Sequence, residues 1–398
     1  MSPQPQPFDL RDDLPEGRLV IDASAGTGKT FSLSGIVIRH IVERKLQAGE
    51  LLVVTFTRAA AAELRDRTRA ALVAALEVLT TRKAPPDSWM ERLLDVPDGE
   101  DDSVLDTRRE CVALAIASFD DATITTIHGF CQLALQQLGL RSGAPIGDEL
   151  SDRTSALVDE VCRDLVVTRL HADPSALSWA ADTSPSSVLE HLNQAVTAVL
   201  GNPGSRIEPD PVSAVPRKRK KPLDAAETDA WRQRLVTWVG LVRTAVKEVR
   251  RRQRAAGVMG YDDLITRLRD ALTAEEGGAA ARAVLASRYR LVLVDEFQDT
   301  DRVQWEVFST AFTGNLITVG DPKQAIYRFR GADVDAYLSA TRDQPTRRLD
   351  TNYRSDADLV EATNCLLEGV DLANPQIVVP RVEPRPGSVG RALKEVAP

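Results

Sequence analysis

The sequence predicts an α/β fold, a parallel sheet that carries a phosphate-binding turn and holds a large inserted helical subdomain. Three observations predict it. A short apolar run at 18–22 passes through a glycine-containing turn into a helical stretch at 28–42. A second apolar run at 51–56 leads into an alanine-rich helical stretch at 59–79, so two strands flank one crossover helix, as parallel pairing requires. Two further runs, 290–294 and 316–319, are β-branched-rich and each ends in charged and polar residues. In open parallel sheets, ligands bind at those carboxyl ends.

The remaining segments follow in order. Residues 80–106 are polar, with Pro85, Pro86 and Pro97, and read as an insertion or exposed loop. Sheet-like sequence resumes at 122–127. From 133 to 257 the pattern is mostly helical, and Trp231, Leu235, Trp238, Val242 and Val249 share one helical face. Within it, the proline-rich stretch 201–222 ends in the basic run 217–221, which reads as an exposed loop, either a solvated face or a DNA contact. The tail after Gly369 shows no periodicity.

Composition bounds the function. A chain of 398 residues with 43% hydrophobic content accommodates two or three domains with real cores and is not wholly disordered. No run approaches the roughly 20 apolar residues that span a bilayer, and the proline-rich start lacks a signal-peptide core. The expectation is a soluble, cytoplasmic protein with no membrane partner. With 50 basic and 58 acidic residues the net charge is −8, so nucleic-acid binding would need a local basic track. Cys111, Cys131, Cys162 and Cys365 form no C-x-x-C pair, and the four histidines show no zinc spacing, which argues against disulfide scaffolds and zinc clusters.

The chemistry lies at two strand ends. Ala23-Ser24-Ala25-Gly26-Thr27-Gly28-Lys29-Thr30 joins a strand to a helix, the context that a phosphate loop requires. Gly26 and Gly28 let backbone N–H groups wrap phosphates, Lys29 reaches the β and γ phosphates, and Thr30 can ligate Mg²⁺. Ala23 replaces the first glycine of the strict pattern. The bland alternative is a glycine-rich turn with a surface lysine. Asp295-Glu296 closes the 290–294 run, placing one carboxylate for a metal and its neighbour to polarise an attacking water. Such pairs are also common as solvated caps. Together the two motifs make hydrolysis of ATP with Mg²⁺ the leading chemistry.

Asp295-Glu296-Phe297-Gln298-Asp299 resembles the D-E-x-Q-D box of superfamily 1 DNA helicases of the UvrD/Rep type. Thr55-Phe56-Thr57-Arg58-Ala59-Ala60 resembles their motif Ia, and Thr126-Ile127-His128-Gly129-Phe130-Cys131 their motif Ib. The segment from Gly320-Asp321-Pro322-Lys323-Gln324 to Asp333 is similar to motif III, and Leu349-Asp350-Thr351-Asn352-Tyr353-Arg354-Ser355 to motif IV. Residues 21–30, 299–305 and 320–324 look most like the RecB family, the exodeoxyribonuclease V beta subunits, with AddA-type subunits the nearest competitor.

The resemblance implies a RecA-like ATP-binding domain at 8–80, 118–135 and 258–340, a helical subdomain at 81–117 and 136–257, and a truncated start of a second RecA-like domain at 341–398. It further implies that Lys29 and Thr30 bind phosphate and Mg²⁺, that Asp295 holds Mg²⁺ through water and that Glu296 is the general base. Gln324 and Arg354 would sense the γ phosphate, and Tyr353 would stack on adenine. For DNA, Phe56, Tyr327 and Phe329 would offer stacking surfaces, with Thr57, His128 and Arg330 near the backbone. Phe56 and Phe130 end or follow apolar strands and read equally as core, Phe130 mainly so, and His128 taken alone is an ordinary structural histidine.

The implied function is a DNA helicase or translocase acting on single-stranded DNA and duplex ends with RecC-like and RecD-like partners. Leu10 to Arg18 contains no glutamine that could read adenine. Motifs V and VI and a nuclease domain find no match after Ser355, so the resemblance covers the N-terminal portion of such a subunit. Two other readings stand beside it: a truncated module that binds nucleotide or DNA without turnover, and a phosphate-loop enzyme unrelated to nucleic acid.

Overall fold

The computed structural model describes residues 6–86, 88–95, 103–139, 149–150, 154–172, 185–201, 224–256, 258–325, 334–342, 344–372, 374 and 376–387. The chain opens with β1 (Gln6–Pro7), β2 (Arg18–Ala23), α1 (Lys29–Arg44), β3 (Leu51–Thr55), α2 (Arg58–Thr81), α3 (Ser103–Ala117), β4 (Thr123–Thr126) and α4 (Ile127–Leu138). Next come β5 (Glu149–Leu150), α5 (Thr154–Ala172), α6 (Pro185–Leu200), α7 (Ala225–Ala256), β6 (Val258–Met259) and α8 (Tyr261–Thr273). The last stretch holds α9 (Gly278–Arg288), β7 (Leu291–Val294), α10 (Arg302–Ala311), β8 (Leu316–Gly320), α11 (Val334–Thr341), β9 (Thr346–Leu349), β10 (Thr351–Asn352), α12 (Ala357–Leu367) and β11 (Glu383–Pro384). Two compact units result, 1–141 with 269–398, and 142–268.

The first unit is built on a seven-stranded parallel sheet in the order β1-β9-β2-β8-β7-β3-β4. Every residue of β3, β7 and β8 is buried, which explains why these strands read as unbroken apolar runs: both faces of the sheet are covered. The core gathers Ile21, Ile36, Ile38, Leu51, Val53, Leu291, Leu293 and Val319 with Leu64 and Leu72 of α2. Gly35 of α1 packs where a Cβ would sit 2.5 Å from Leu10 Cδ1. Buried Arg39 reaches the Leu10 carbonyl at 2.8 Å and the Asp12 carbonyl, and pairs with Glu43 at 2.5 Å, fastening the N-terminal segment to α1.

Two segments differ from the sequence expectation. Residues 80–106 are not simply an exposed loop. A 3-10 turn at Trp89–Leu94 buries Trp89 and Leu93 in the core, and α3 packs on α1 and α2, so these residues lie in the sheet-containing unit, whereas the expectation grouped 81–117 with the insertion. Burial of two large apolar side chains outweighs the turn-rich composition around them. Likewise β9, within the stretch 341–398 expected to open a second domain, pairs in parallel with β2 of this same sheet, Ile21 opposite Arg347.

In the second unit α5, α6 and α7 pack around Val158, Val161, Cys162, Leu192, Val196, Val242, Ala245 and Val249, with Trp238 against them. Of the expected stripe on α7, Trp238, Val242 and Val249 meet the neighbouring helices, while Trp231 and Leu235 are half-buried outside this cluster. Arg252 binds Glu160 at 2.6 Å, Asp164 at 2.7 Å and Glu248 at 2.9 Å across these helices. The run 201–222 lies outside the described residues apart from Gly201, and with it the basic stretch 217–221. All four cysteines are free thiols, and burial pushes the Cys162 thiol up to about 11. Among the described residues no helix is long and apolar enough to cross a membrane.

His40 lies buried in α1, its Nδ1 bonded to the Ile36 carbonyl at 2.8 Å and its Nε2 without a hydrogen-bond partner. Burial lowers its pKa from 6.5 to about 4. The folded value lies below the unfolded one, so this group's stability is full above pH 6.5 and is lost as pH falls towards 4, by on the order of 3 kcal/mol at the low end. Urea denaturation between pH 7.5 and 4 is expected to show a shallower acid loss in His40→Leu than in the parent chain. Equal acid dependence in both would contradict the burial argument.

A candidate nucleotide site at the carboxyl ends of the central strands

Because β2, β8 and β7 are neighbours, the turns that follow them meet. After β2 ends at Ala23, the turn 24–28 takes Gly26 to φ 80° and Gly28 to φ 83°, left-handed values that an L side chain rarely adopts. Thr27 is buried, and its hydroxyl donates to the Ser24 carbonyl at 2.8 Å, bracing the loop internally. Ser24, Gly26, Gly28, Lys29 and Thr30 are half-buried and Ala25 is exposed, so the loop is reachable from solvent. The first turn of α1 holds no acidic residue and no side-chain cap, which leaves its N–H groups and positive dipole end available to an anion.

Glu296, just past β7, holds a left-handed backbone at φ 50°. For a residue with a Cβ this conformation costs roughly 1–2 kcal/mol, and three contacts fix it. Lys29 Nζ lies 3.0 and 3.2 Å from its carboxylate oxygens, and Gln298 Nε2 donates to Oε2 at 2.7 Å. Its own N–H donates to Asp295 Oδ1 at 2.9 Å. Asp295 is tied to β3 through the Val54 carbonyl at 2.8 Å. Burial first, and then the Glu296 charge, raise the Asp295 carboxyl to about 6. Asp299 is raised to about 6 by the same two causes, and its Oδ1 is buried without a hydrogen-bond partner.

Gln298 continues the network. Its buried Oε1 accepts the Asp321 N–H at 2.9 Å, so one amide joins the ends of β7 and β8. Asp321 in turn binds Lys323 Nζ at 2.6 Å and Gln324 Nε2 at 2.7 Å. Lys323 is 3.9 Å from Asp22 Oδ1, too long for a hydrogen bond, and Arg348 Nε reaches Asp22 Oδ2 at 3.3 Å. Gln298, Asp321, Asp22 and Arg348 carry no role in the sequence expectation. Gln298, Asp321 and Asp22 lay inside recognised motif segments, while Arg348 gave no signal.

On the open side, residues 352–354 rest on the loop. The Tyr353 N–H donates to the Gly26 carbonyl at 2.9 Å. The Tyr353 ring is 58% exposed and passes Gly28, where a Cβ would stand 3.7 Å from its Cδ2. Arg354 is exposed, and its Cβ would lie 2.9 Å from a Cβ on Gly26. The structure therefore brings together Ala23 to Thr30, Asp295, Glu296, Gln324, Tyr353 and Arg354.

The described residues among those expected to meet DNA lie at the ends of β3 and β4, and β3 is the neighbour of β7. Register pairs Thr55 of β3 with Thr126 of β4, so Phe56 and Thr57 emerge beside Ile127 and His128. Phe56 and His128 are half-buried, and the Thr57 hydroxyl caps α2 by accepting the Ala60 N–H at 3.1 Å. Phe130 is core, stacked on Phe308 with ring centroids 5.4 Å apart. Tyr327, Phe329 and Arg330 lie outside the described residues.

The donor set fits a magnesium nucleotide. A left-handed glycine turn, an uncapped helix end and a lysine suit phosphate, and Thr30 with the half-buried Asp295 suits a hard cation. Among the described residues no group of three or more His, Cys, Asp or Glu side chains could hold a metal. Gln298→Leu removes the bond to Glu296 and strands the buried Asp321 N–H. Unfolding free energy is expected to drop by about 2–4 kcal/mol, read by urea denaturation, and a change below the error of that measurement would show the bridge to be idle.

Residues 12–345 match the UvrD/REP helicase N-terminal domain. The RecBCD enzyme subunit RecB of Mycolicibacterium smegmatis is 38% identical over 388 residues, covering 95% of this chain and 32% of that protein. The RecB subunit of Mycobacterium tuberculosis H37Rv is 36% identical, covering 94% and 32%, and that of Escherichia coli K12 is 27% identical, covering 96% and 40%. The chain thus spans about a third of the length of the first two curated relatives. On this match, and with a parallel sheet that gathers the phosphate-loop and acidic turns at its carboxyl ends, the chain belongs to the UvrD/REP helicase family, as a helicase N-terminal domain homologous to RecB.

Proposed function

We propose that this chain carries the ATP-binding part of a RecB-type DNA helicase or translocase, which couples ATP hydrolysis to movement on single-stranded DNA in double-strand-break repair and recombination. The observation that carries the reading is the meeting of Lys29 with Glu296 at 3.0 Å across a phosphate-receptive turn. Lys29 would turn to the β and γ phosphates, Thr30 and Asp295 would hold Mg²⁺, and Glu296, released from Lys29, would take a proton from the attacking water. Bound Mg-ATP supplies the phosphoanhydride and the cation that polarises it. Gln324 and Arg354 would report the γ phosphate, and Tyr353 would stack on the adenine ring.

Single-stranded DNA would pass the ends of β3 and β4 at Phe56, Thr57 and His128, with Tyr327, Phe329 and Arg330 completing the track. The similarity to subunits named for the RecBCD enzyme supports a cytoplasmic role on duplex DNA ends with RecC-like and RecD-like partners. The relatives' greater length favours a second reading for these residues taken alone, in which they bind nucleotide and DNA without productive turnover. An AddA-type or UvrD-type motor is the alternative within the family.

ATP hydrolysis by the purified chain, with and without single-stranded DNA, tests the reading. DNA-stimulated turnover is expected to fall by about 10²-fold or more in Glu296→Gln, and Lys29→Ala is expected to lose both binding and turnover. Nucleotide binding that needs Lys29 but shows no turnover selects the second reading. Unchanged DNA-stimulated turnover in either variant would overturn the assignment of roles.

A further inference from the structure

Asn352 has been given no role so far, yet its side chain touches both halves of the nucleotide site. Its Nδ2 donates to the Ala25 carbonyl in the phosphate loop at 3.3 Å. Its Oδ1 accepts the N–H groups of Arg354 and Ser355, each at 2.9 Å, and so shapes the turn that presents Tyr353 and Arg354. Beside it the Tyr353 N–H binds the Gly26 carbonyl at 2.9 Å, so consecutive loop carbonyls, Ala25 and Gly26, are both held by this turn.

The fit is close enough to set register. A Cβ on Gly26 would stand 2.9 Å from Asn352 Oδ1 and 2.9 Å from Arg354 Cβ, so the loop backbone and the turn touch with no space between them. Pulling the Ala25 and Gly26 carbonyls outward also directs the opposite faces of those peptides, their N–H sides, away from the turn. Among the described contacts, the Asn352 side chain reaches the loop backbone through Nδ2 and fixes the turn through Oδ1.

We infer that Asn352 is a positioning residue, which locks the Tyr353–Arg354 turn against the phosphate loop and thereby sets the site's preference for nucleoside triphosphate over diphosphate. The inference rests on the nucleotide reading above. Arg354 gains from the γ phosphate only if its backbone stands at a fixed distance from the loop that holds that phosphate, and Asn352 supplies the fixed distance. An asparagine suits the task because one planar amide donates to the loop and accepts from the turn at once.

Asn352→Ser separates the two halves of that role. A serine hydroxyl can still accept from the Arg354 and Ser355 N–H groups, as in a serine turn, but is too short to reach Ala25, and it adds no charge near the phosphates. Binding of Mg²⁺ with a non-hydrolysable ATP analogue, and of Mg²⁺ with ADP, is measured for the parent chain, Asn352→Ser, Arg354→Ala, the double variant and Lys29→Ala. The triphosphate-to-diphosphate affinity ratio is expected to fall about tenfold in Asn352→Ser. In the Arg354→Ala background the same change is expected to move the ratio little, because the two residues act as one unit.

A ratio unchanged in Asn352→Ser overturns the inference, as does a loss that adds in full to that of Arg354→Ala. Equal weakening of both nucleotides also overturns it, since that is the mark of a purely structural contact. If Lys29→Ala binds both nucleotides as the parent does, the nucleotide reading itself fails, and the role of Asn352 falls with it.

Discussion

The contact between Lys29 and Glu296 is the constraint on which the rest of the site depends. It joins the first residue of α1 to the second residue beyond β7, and so ties the phosphate loop to the acidic strand end. Its worth is geometric more than energetic. With the lysine 15% and the glutamate 33% exposed, water screens part of the attraction, and exposed or half-exposed pairs contribute about 1 kcal/mol or less. That amount is comparable to the cost of the left-handed backbone at Glu296, so the pair and the Gln298 bond together hold a carboxylate that would otherwise relax.

Around that contact the sheet order does the positioning. The phosphate loop after β2 meets the acidic pair after β7 because the two strands run parallel with only β8 between them. The buried Gln298 amide then bridges β7 to β8, and Asp321 passes the connection to Gln324 and Lys323. A displacement of Glu296 is therefore felt at the motif III backbone through two hydrogen bonds. On the far side the 352–354 turn presses on the same loop, so the phosphate loop is held between two sets of contacts that come from distant stretches of sequence.

Much of this was legible in the sequence where burial on both faces leaves an unbroken apolar run. The strands at 18–23, 51–55, 291–294 and 316–320 announce themselves that way, as does the helix opened by Gly28 and Lys29. β9 does not. Its residues Thr346, Arg347, Arg348 and Leu349 carry one buried apolar side chain, and its place beside β2 comes from backbone pairing that no local pattern records. Trp89 and Leu93 were hidden for a related reason, two buried side chains in a polar, proline-rich stretch whose composition favours a loop. In the site, the motif residues could be named, but the Gln298 bridge and the Asn352 contact depend on tertiary placement across 23 and 327 residues of separation.

The most direct test is a crystal structure of this chain with Mg²⁺ and a non-hydrolysable ATP analogue. The account predicts triphosphate seated on residues 23–30, the cation between Thr30 and Asp295, and Lys29 Nζ moved from Glu296 to the phosphates. A nucleotide bound elsewhere, or one bound in the loop while Lys29 stays on Glu296, would contradict it.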